Sequence, residues 1–313
     1  MNKGKMPENA LKRSVLKGLS EYNKRSEAGI GADAGFCDNN GKSFMMSTAA
    51  LLGEDAGNGE LCVTRAVNSL AAAGGKALAA SLSLVVPKDN GESFAKAIIG
   101  EVARACKKCG IELISGNTLI GDSAFASVAV TGERFYELRS PEKDCSRILI
   151  MTGYAGNAGA AMLAKKKFDA LAERLTGEFI NKAVAGFDET ACFEKAFELA
   201  KACEGVISMH DISEGGVFGA LWELLEREKA GCSVDLRSIP IRQTAIEVCE
   251  ILDVSPYTLR GDGGLLAIVK DTPENRKLGT VIGRIENTAD RVILNGEEKR
   301  FLEPNRYDGY YEI

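Results

Sequence analysis

Three glycine-rich segments, each between apolar runs, constrain the fold of this chain more than any other feature. They span residues 29–35, 153–159 and 210–216. Glycine adopts backbone conformations that other residues avoid, so such segments let the chain approach a ligand or a neighbouring element closely. Because α/β proteins place ligand-binding turns between a strand and the next helix, the segments predict an α/β or α+β fold with ligands held at strand ends.

Length and local polarity predict two domains. The chain has 313 residues, whereas a usual domain has about 150. The polar segment 139–144 is the best linker candidate, and it divides the chain into domains 1–138 and 145–313. In the first domain helical patterns stand between strand patterns, which favours a mixed sheet covered by helices. The second domain has the same alternation and is expected to be α/β.

Composition excludes several classes of protein. A net charge of -5 argues against a nucleic-acid-binding surface, because phosphate contacts need clustered cations. No apolar run reaches the roughly 20 residues that cross a bilayer, so no membrane association is expected. The N-terminal segment lacks the apolar stretch of a secretory signal. Nine scattered cysteines are typical of reduced thiols, and the expected location is cytoplasmic.

Local patterns also predict the elements that flank these segments. The opening segment 7–19 has apolar residues at helical spacing and is expected to bury that face. Two strands, 111–115 and 123–131, are expected to flank a loop at 116–118. A strongly periodic helix is predicted at 217–227, directly after the third glycine-rich segment.

The first two glycine-rich segments each have a ligand-binding and a packing interpretation. In residues 29–35, exposed amides would cradle a phosphate while Asp33 holds a cation, but a flexible surface loop explains the same residues. The turn 153–159 has neither the ending of a phosphate-binding P-loop nor the spacing of a dinucleotide fingerprint. The helix after it would attract an anion at its N-terminus, and close strand-to-helix packing explains its glycines equally well.

The third segment is the most informative because it contains the only histidine of the chain. His210 and Asp211 stand at a predicted strand end, where contact with a substrate or Mg²⁺ is expected. Ser213 is a suitable helix N-cap, and Glu214 in the first turn favours the helix dipole without any catalytic role. A structural histidine is the alternative for His210. One histidine also disfavours a Ser/His/Asp triad.

Cys106 and Cys109 have the spacing of a CxxC motif at the end of a predicted helix. Zinc or thioredoxin-like chemistry needs a second pair or a nearby histidine, and neither is present in the sequence around them. A thiol–metal protein is therefore the remotest of the functional hypotheses.

Taken in order, these segments resemble the aminoimidazole ribonucleotide (AIR) synthase superfamily, whose fold is called PurM-like, and within it the HypE-type hydrogenase-maturation branch. The resemblance extends over nearly the whole chain. The segments that carry it are Gly31-Ala32-Asp33-Ala34, Ser47-Thr48-Ala49, Ala66-Val67-Asn68-Ser69, Ser115-Gly116-Asn117-Thr118-Leu119, 153–159 and 211–216. Their counterparts are Gly-Asp-Asp-Ala, Thr-Thr-Asp, Val-Asn-Asp, Gly-Asp-Thr-Lys, Gly-x-x-Gly-Asp-His-Gly and Asp-x-Thr-x-Gly-Gly.

The resemblance implies a two-domain PurM-like fold and a homodimer that pairs through strands of the N-terminal domain. It also implies ATP with Mg²⁺ bound against aspartates, a small-molecule acceptor, and ATP-dependent activation of that acceptor. It assigns the metal to Asp33 and the acceptor side to His210, Asp211 and Glu214. It assigns binding of the nucleotide or its phosphates to Gly31, Asp33, Asn68, Gly116, Asn117, Gly153, Gly156 and Gly159.

This sequence departs from the family pattern where carboxylates are expected. Ala32, Ala49, Ser69 and Asn117 replace acidic residues, and Leu119 replaces a lysine. Losing four anionic ligands weakens Mg-ATP binding unless nearby acids substitute for them, and the candidates are Glu54, Asp55 and Asp122. The sequence ends Tyr310-Tyr311-Glu312-Ile313, so we expect no HypE-type chemistry on a C-terminal cysteine.

Two functional hypotheses follow. The first is a protein related to HypE and AIR synthase that binds a nucleotide or phosphate ligand and acts as an ATP-dependent synthase or kinase on a small molecule. The second is a catalytically inactive homodimeric scaffold or regulatory pseudoenzyme of the same fold. Fold resemblance alone does not transfer an activity, so the site must decide between them.

Overall fold

The computed structural model describes residues 5–23, 28–39, 42–138, 145–203, 206–304 and 307–313. The linker expected at 139–144 lies outside the described residues. The chain forms two compact units, one of Asp33–Glu137 and one that joins Met1–Ala32 to Leu138–Ile313. Within the described ranges no helix is long and apolar enough to cross a membrane.

The unit Asp33–Glu137 is built on a five-stranded sheet with the order β1-β2-β5-β3-β4. Only β3 and β4 pair in parallel, and the other neighbours are antiparallel. Two helices complete the unit. Its elements are β1 (Gly35–Asn39), β2 (Lys42–Leu52), α3 (Asn58–Ala72), β3 (Gly75–Pro87), α4 (Gly91–Cys109), β4 (Glu112–Gly121) and β5 (Phe125–Arg134).

Helices α3 and α4 pack together and cover this sheet, and they have different sequence patterns. Helix α3 is rich in small and aliphatic residues and is buried along most of its length. Helix α4 is amphipathic, and it buries Phe94, Ile98, Val102 and Ala105 as their spacing predicts. A helix that is buried on most sides is expected inside a unit, whereas a helix that is buried on one face is expected at its surface.

The prediction of a loop at 116–118 is wrong. Residues Glu112–Gly121 form one continuous strand, β4, which pairs with β3 through Gly116, Asn117 and Thr118. The glycine and asparagine suggested a turn, but the parallel ladder with β3 keeps the segment extended. A Cβ at Gly116 would lie 2.7 Å from the carbonyl oxygen of Leu82, so this glycine permits close strand pairing.

The second unit is built on a seven-stranded sheet with the order β12-β11-β8-β10-β6-β9-β7. Its strands are β6 (Arg147–Thr152), β7 (Val206–Ile212), β8 (Gly231–Asp235), β9 (Gly264–Lys270), β10 (Thr280–Glu286), β11 (Arg291–Asn295) and β12 (Glu298–Phe301). Its helices are α1 (Glu8–Leu11), α2 (Lys17–Tyr22), α5 (Asn157–Lys166), α6 (Phe168–Ala172), α7 (Gly177–Val184), α8 (Phe193–Ala202), α9 (Gly216–Glu228) and α10 (Gln243–Ile251). Strands β6, β7 and β9 are almost entirely buried, as their apolar sequences require.

The N-terminal segment differs from its prediction in two respects. It is helical, with a π-helical turn at Lys12–Leu16 between α1 and α2, but none of its residues is buried. Val15 and Leu19, expected in a buried face, are exposed. Residues up to Ala32 also group with the C-terminal unit instead of with domain 1–138. The reason is a set of polar contacts between residues 5–12 and helix α9, described below.

Candidate functional site

Three glycine-rich turns meet at the edge of the seven-stranded sheet where strands β6 and β7 end and strand β9 begins. Strands β6 and β7 are both antiparallel to β9, so their C-terminal ends and the start of β9 lie at the same edge. There Thr152 pairs with Leu265, and Ile212 pairs with Gly264. The turns 153–156, 213–216 and 261–264 therefore emerge side by side, at the kind of strand-end edge where α/β proteins bind ligands.

The glycines of these turns are required by close backbone contacts. Gly153 has φ +76, and a Cβ there would lie 2.8 Å from the carbonyl oxygen of Gly263. Gly216 has φ +64, and its Cβ would lie 2.5 Å from the carbonyl oxygen of Tyr257. Both conformations favour glycine, and both contacts leave no space for a side chain. Gly156 and Gly159 are packed equally closely, against Pro256 and Leu259.

His210 and Asp211 belong to the buried strand β7 and not to the loop that follows it. Both are almost fully buried. The Nε2 atom of His210 lies 3.0 Å from Oε2 of Glu223 on α9. The Nζ atom of Lys5 donates to both carboxylate oxygens of Glu223 at 2.8 Å. Strand β7, helix α9 and the N-terminal segment thus meet in one charged cluster, Lys5–Glu223–His210.

Opposing effects determine the charge of Glu223. Burial raises the pKa of this carboxyl, but the ammonium of Lys5 and the hydrogen bond with His210 outweigh it and lower the pKa to about 2. Burial likewise opposes the charge of Lys5, but the carboxylates of Glu223, Glu214 and Asp211 raise its pKa above the ordinary value. Both partners are ionised at neutral pH.

A second charged cluster surrounds Arg260, a fully buried residue. Its Nε donates to Oδ2 of Asp308 at 2.8 Å, and the ring of Tyr310 lies 4.1 Å from its guanidinium carbon. Its Nη2 is 3.8 Å from Oε1 of Glu214, and the hydroxyl of Tyr311 donates to the same oxygen at 3.0 Å. Burial and the charge of Glu214 raise the pKa of Tyr311 to about 12. The buried guanidinium is thereby held by carboxylates and aromatic rings.

The prediction that Ser213 caps the helix after the turn 213–216 is wrong. Gly215, with φ 86, precedes the first residue of α9, and no side chain caps this helix. Ser213 instead accepts a hydrogen bond from the backbone N–H of Gly261 through its carbonyl oxygen at 3.3 Å. Glu214 contacts Tyr311 and faces Arg260. Backbone carbonyls satisfy two amides of the first turn of α9, because Gly216 donates to Ser213 at 3.1 Å and Phe218 donates to Tyr257 at 3.1 Å.

The glycine-rich segment 29–35 reaches this cluster through Gly31. Arg227 donates from Nη1 to the carbonyl oxygen of Gly31 at 2.9 Å and from Nη2 to that of Met209 at 2.7 Å. A Cβ at Gly31 would lie 2.2 Å from the backbone oxygen of Glu223, and its φ is +75. Gly31 is thus needed for the N-terminal segment to lie against α9.

Further polar contacts fix residues 8–12 on α9. The indole Nε1 of Trp222 donates to Glu8 at 2.8 Å, and Lys12 pairs with Glu226 at 3.0 Å. Arg291 also pairs with Glu226 at 3.0 Å, and its guanidinium lies 4.3 Å from the Trp222 ring. These contacts account for the grouping of the N-terminal segment with the C-terminal unit.

Two cavities adjoin the edge. One of about 470 Å³ lies beside the turn after β6, against Thr152, Gly153 and Tyr154, and has a largely apolar lining. This volume is in the range of small-molecule sites. The other, of about 30 Å³, is walled by Lys5, Glu214 and other residues at the start of α9. It holds about one water molecule.

The remaining predicted site residues lie in the unit Asp33–Glu137. Asn68 is buried in α3, whereas Gly116 and Asn117 lie on the exposed strand β4. Asp33 stands two residues before β1. Because β1 and β4 are the opposite edge strands of this sheet, strand pairing within one chain does not bring Asp33 and Asn117 together.

The donor set does not fit a divalent metal. The described residues contain no group of three His, Cys, Asp or Glu side chains that could hold a metal ion. Glu223 pairs with Lys5, and Asp122, a candidate substitute acid, pairs with Lys88 at 2.5 Å. Burial raises the pKa of the Cys106 thiol, which opposes the thiolate that metal binding needs.

Several residues of the site were missed in the sequence: Lys5, Glu223, Arg260, Asp308 and Tyr311. The segment from Arg260 to Gly264 has three glycines, an arginine and an aspartate, and this was the available signal for the turn 261–264. The other residues carry no local pattern, because long-range contacts bring them to the edge.

Comparison with known proteins identifies the family. Residues 34–133 match the N-terminal domain of the AIR synthase related proteins, and residues 147–290 match their C-terminal domain. The chain belongs to this family. Its PurM-like resemblance and its α/β fold with two sheets are thus confirmed. The two matched segments fall in separate units of the structure.

Proteins of the AIR synthase related family that are similar to this chain include HypE proteins and a thiamine-monophosphate kinase. Carbamoyl dehydratase HypE of Rhodobacter capsulatus is 23% identical over 258 residues, which cover 80% of this chain and 72% of that protein. Thiamine-monophosphate kinase of Pyrococcus horikoshii is 25% identical over 287 residues, which cover 86% and 87%. The chain spans only 60% of the HypE proteins of Rhizobium leguminosarum and Bradyrhizobium diazoefficiens.

Solved structures of the family share the two-domain fold. AaThiL complexed with AMPPCP and TMP has a TM-score of 0.72 at 20% identity, covering 95% of this chain and 99% of that chain. Hydrogenase maturation protein HypE in complex with ATP has a TM-score of 0.69 at 16% identity, covering 99% and 97%.

Proposed function

We propose that this AIR synthase related protein binds a nucleotide or phosphate ligand at the glycine-turn edge, defined by the turns 153–156, 213–216 and 261–264. We further propose that it acts there as an ATP-dependent synthase or kinase on a small molecule. The observation that carries the proposal is the meeting of these turns beside the two charged clusters of Lys5 and Arg260. Strained glycine turns and ionised groups at strand ends are typical of binding sites.

The chemistry of the edge suits an anion. The ammonium of Lys5 lines the small cavity at the start of α9 and supplies a positive charge there. We propose that His210, Asp211 and Glu214 contact the small-molecule acceptor. The Nε2 atom of His210 lies 3.0 Å from the carboxylate of Glu223, which fixes the orientation of the imidazole. The cavity of about 470 Å³ beside Gly153 offers room for an apolar or planar part of the ligand.

The residues of the other unit remain proposed nucleotide contacts: Asp33, Asn68, Gly116 and Asn117. Solved structures of similar proteins in complex with ATP or AMPPCP support nucleotide binding by this fold. A homodimer fits the same residues, because Asp33 and Asn117 adjoin opposite sheet edges and a second copy would bring another β4 or β1 edge within reach.

Calorimetric titration with ATP, ADP and AMP, each with EDTA and with MgCl₂, tests the proposal. We expect saturable binding of at least one nucleotide. Glu214→Gln should change its affinity. Glu247→Gln is the matched control and should not, since Glu247 is a half-buried residue of α10 whose carboxylate accepts from Gln243. Absence of heat with all three nucleotides at millimolar concentration would remove the proposal.

The second candidate is a catalytically inactive homodimeric scaffold. The observation that favours it is the replacement of four family carboxylates by Ala32, Ala49, Ser69 and Asn117. This candidate predicts no nucleotide hydrolysis and no effect of Asp33→Ala on any measured property. A turnover of ATP that falls strongly in Asp33→Ala would reject it and support the first candidate.

A further inference from the structure

The cavity of about 470 Å³ beside Gly153 has walls that come mainly from the end of β6, helix α8 and the residues that lead into β10. Most of its lining is apolar, and the apolar side chains are Met151, Leu199, Ala202, Pro240 and Leu278. Cavities of this size and lining are typical of small-molecule sites that bury an apolar part of the ligand.

The charged side chains at this cavity are paired with each other. Lys195 donates to Glu198 at 2.6 Å on the same helix, α8. Among the described residues that line the cavity, these two are the only charged ones. Moving a charged group from water into an apolar cavity costs free energy unless a partner of opposite charge is ready to bind it. The cavity therefore favours an uncharged group.

Tyr154 adds an aromatic surface to the lining. It follows Gly153 in the turn 153–156, and 37% of it is exposed. The guanidinium of Arg242 lies 4.3 Å from the centre of its ring and pairs with Glu189 at 2.6 Å, so the ring is held in place. A fixed aromatic ring favours a planar ligand over an alkyl chain, because stacked rings attract each other beyond the effect of burial.

Thr152 supplies a hydrogen-bonding group to the same wall. Its Oγ1 atom is buried, and the described residues provide no hydrogen-bond partner for it. A buried hydroxyl without a partner is unfavourable, so a polar ligand atom that bonds to it is bound preferentially. A ring nitrogen or a carbonyl oxygen of the ligand has this property.

We propose that the cavity beside Gly153 binds an uncharged heteroaromatic ring, stacked on Tyr154 and hydrogen-bonded to Thr152. This inference rests on the proposed function, because it names the ring of that ligand: the base of the nucleotide or a ring of the small-molecule acceptor. Gly153 and Tyr154 connect the two places, since they line the cavity and also belong to the turn 153–156 of the glycine-turn edge.

Titration with 2-aminopurine, an uncharged fluorescent heteroaromatic base, tests ring binding without a nucleotide. We expect saturable binding of one molecule per chain, with fluorescence quenched by stacking. Ala202→Phe places a ring in the cavity and should weaken binding at least about tenfold, because the space is filled. Ala172→Phe is the matched control and should bind as the unaltered protein does, since both alanines are exposed and end a helix.

Single side chains test the two contacts. Tyr154→Ala and Thr152→Val should each weaken binding about fivefold, through loss of stacking and of a hydrogen bond. Tyr154→Phe keeps the ring and should bind normally. Tyr22→Ala is the control, because Tyr22 is 96% exposed and does not line the cavity. Orotate, a ring of similar size with a carboxylate, should bind at least about tenfold more weakly than 2-aminopurine.

Three results would overturn the inference: no saturable binding of 2-aminopurine, equal affinity in Ala202→Phe, or orotate bound as tightly as 2-aminopurine. Addition of ADP to the complex distinguishes the two sources of the ring. Displacement of 2-aminopurine by ADP would assign the cavity to the base of the nucleotide, and joint binding would assign it to the acceptor. If ADP does not bind while 2-aminopurine does, the proposed nucleotide binding fails and the ring site stands.

Discussion

At Glu223, ionisation in the folded protein is favoured by partners that the unfolded chain lacks. A carboxyl whose pKa falls from 4.5 to about 2 contributes on the order of 3 kcal/mol to stability. This contribution is present above the unfolded pKa of 4.5 and is lost as the pH falls towards about 2. Glu223→Gln should therefore lose about 2 kcal/mol less than the unaltered protein between pH 6 and pH 3.

Urea unfolding at a series of pH values measures this difference. Glu247→Gln provides the control, because its carboxyl is exposed and bonded only to Gln243 among the contacts described for it. The two glutamine variants should diverge as the pH falls, with Glu223→Gln the less pH-dependent. Parallel curves for both variants would show that Lys5 and His210 do not hold Glu223 ionised.

Two glycines of the N-terminal segment should respond to alanine with opposite signs. Gly31 has φ +75, and a Cβ there would meet the backbone oxygen of Glu223 at 2.2 Å. Gly31→Ala should thus destabilise the protein by about 1–3 kcal/mol. Gly18 lies in α2 with no atom within 4 Å of its Cβ position, so Gly18→Ala should stabilise the helix by up to about 1 kcal/mol.

Thermal unfolding of both variants checks the pair. A lower melting temperature for Gly31→Ala together with an equal or higher one for Gly18→Ala is the expected outcome. Equal effects of the two substitutions would contradict the position of residue 31 against α9.

Residue identity alone predicted part of the site. His210, Asp211 and Glu214 were singled out from their sequence, and the structure places them beside charged partners. The sequence could not show that His210 faces Glu223 or that Lys5 reaches the same carboxylate, because both contacts depend on how distant segments pack. Arg260 was missed for the same reason: its partner Asp308 is separated from it by 48 residues.

At the scale of elements, strand β4 is an open edge that a partner is expected to cover. All but its last residue are exposed, including Ile114 at 66% and Ile120 at 74%. Both are large aliphatic side chains on the same edge strand. Exposed aliphatic edge strands are rare in monomers, since they pair with other chains.

Ile120→Asp should therefore convert a dimer into a monomer. A charge on this edge has to be desolvated at the interface, which opposes association. Ile99→Asp is the matched control, since Ile99 is an exposed aliphatic residue on helix α4. Size-exclusion chromatography with light scattering distinguishes the outcomes. A monomeric unaltered protein, or an Ile120→Asp variant that remains dimeric, would contradict this interface.

Most elements were predictable from local sequence, and the exceptions have physical causes. Asn295-Gly296 is a typical hairpin turn sequence, and it joins β11 to β12. The buried face of α4 follows from the periodicity of its apolar residues. Strand β4 was predicted to end at Ser115 because Gly116 and Asn117 are turn formers, yet pairing with β3 overrides that preference. The opening helix has an apolar face, but its polar residues make the described contacts with α9.

At the scale of the whole molecule, the sequence predicted two units but not their membership. Residues 1–32 were expected with the first domain, and they belong to the unit of the C-terminal sheet. Chain order suggested the first arrangement, whereas ion pairs with α9 produce the second. The glycine turns 153–156 and 213–216 were predicted as strand-end features, whereas the turn 261–264 was not. The convergence of all three depends on the long-range pairing of β6 and β7 with β9.

Hydrogen–deuterium exchange of the full chain with and without saturating ADP tests the central claim most directly. The claim is that the three glycine turns form one ligand-binding edge. We expect slower exchange in peptides that cover residues 153–156, 213–216 and 261–264 together, with the peptide of the distant hairpin β11–β12 unchanged. Binding of ADP that leaves all three turns unprotected would contradict the account.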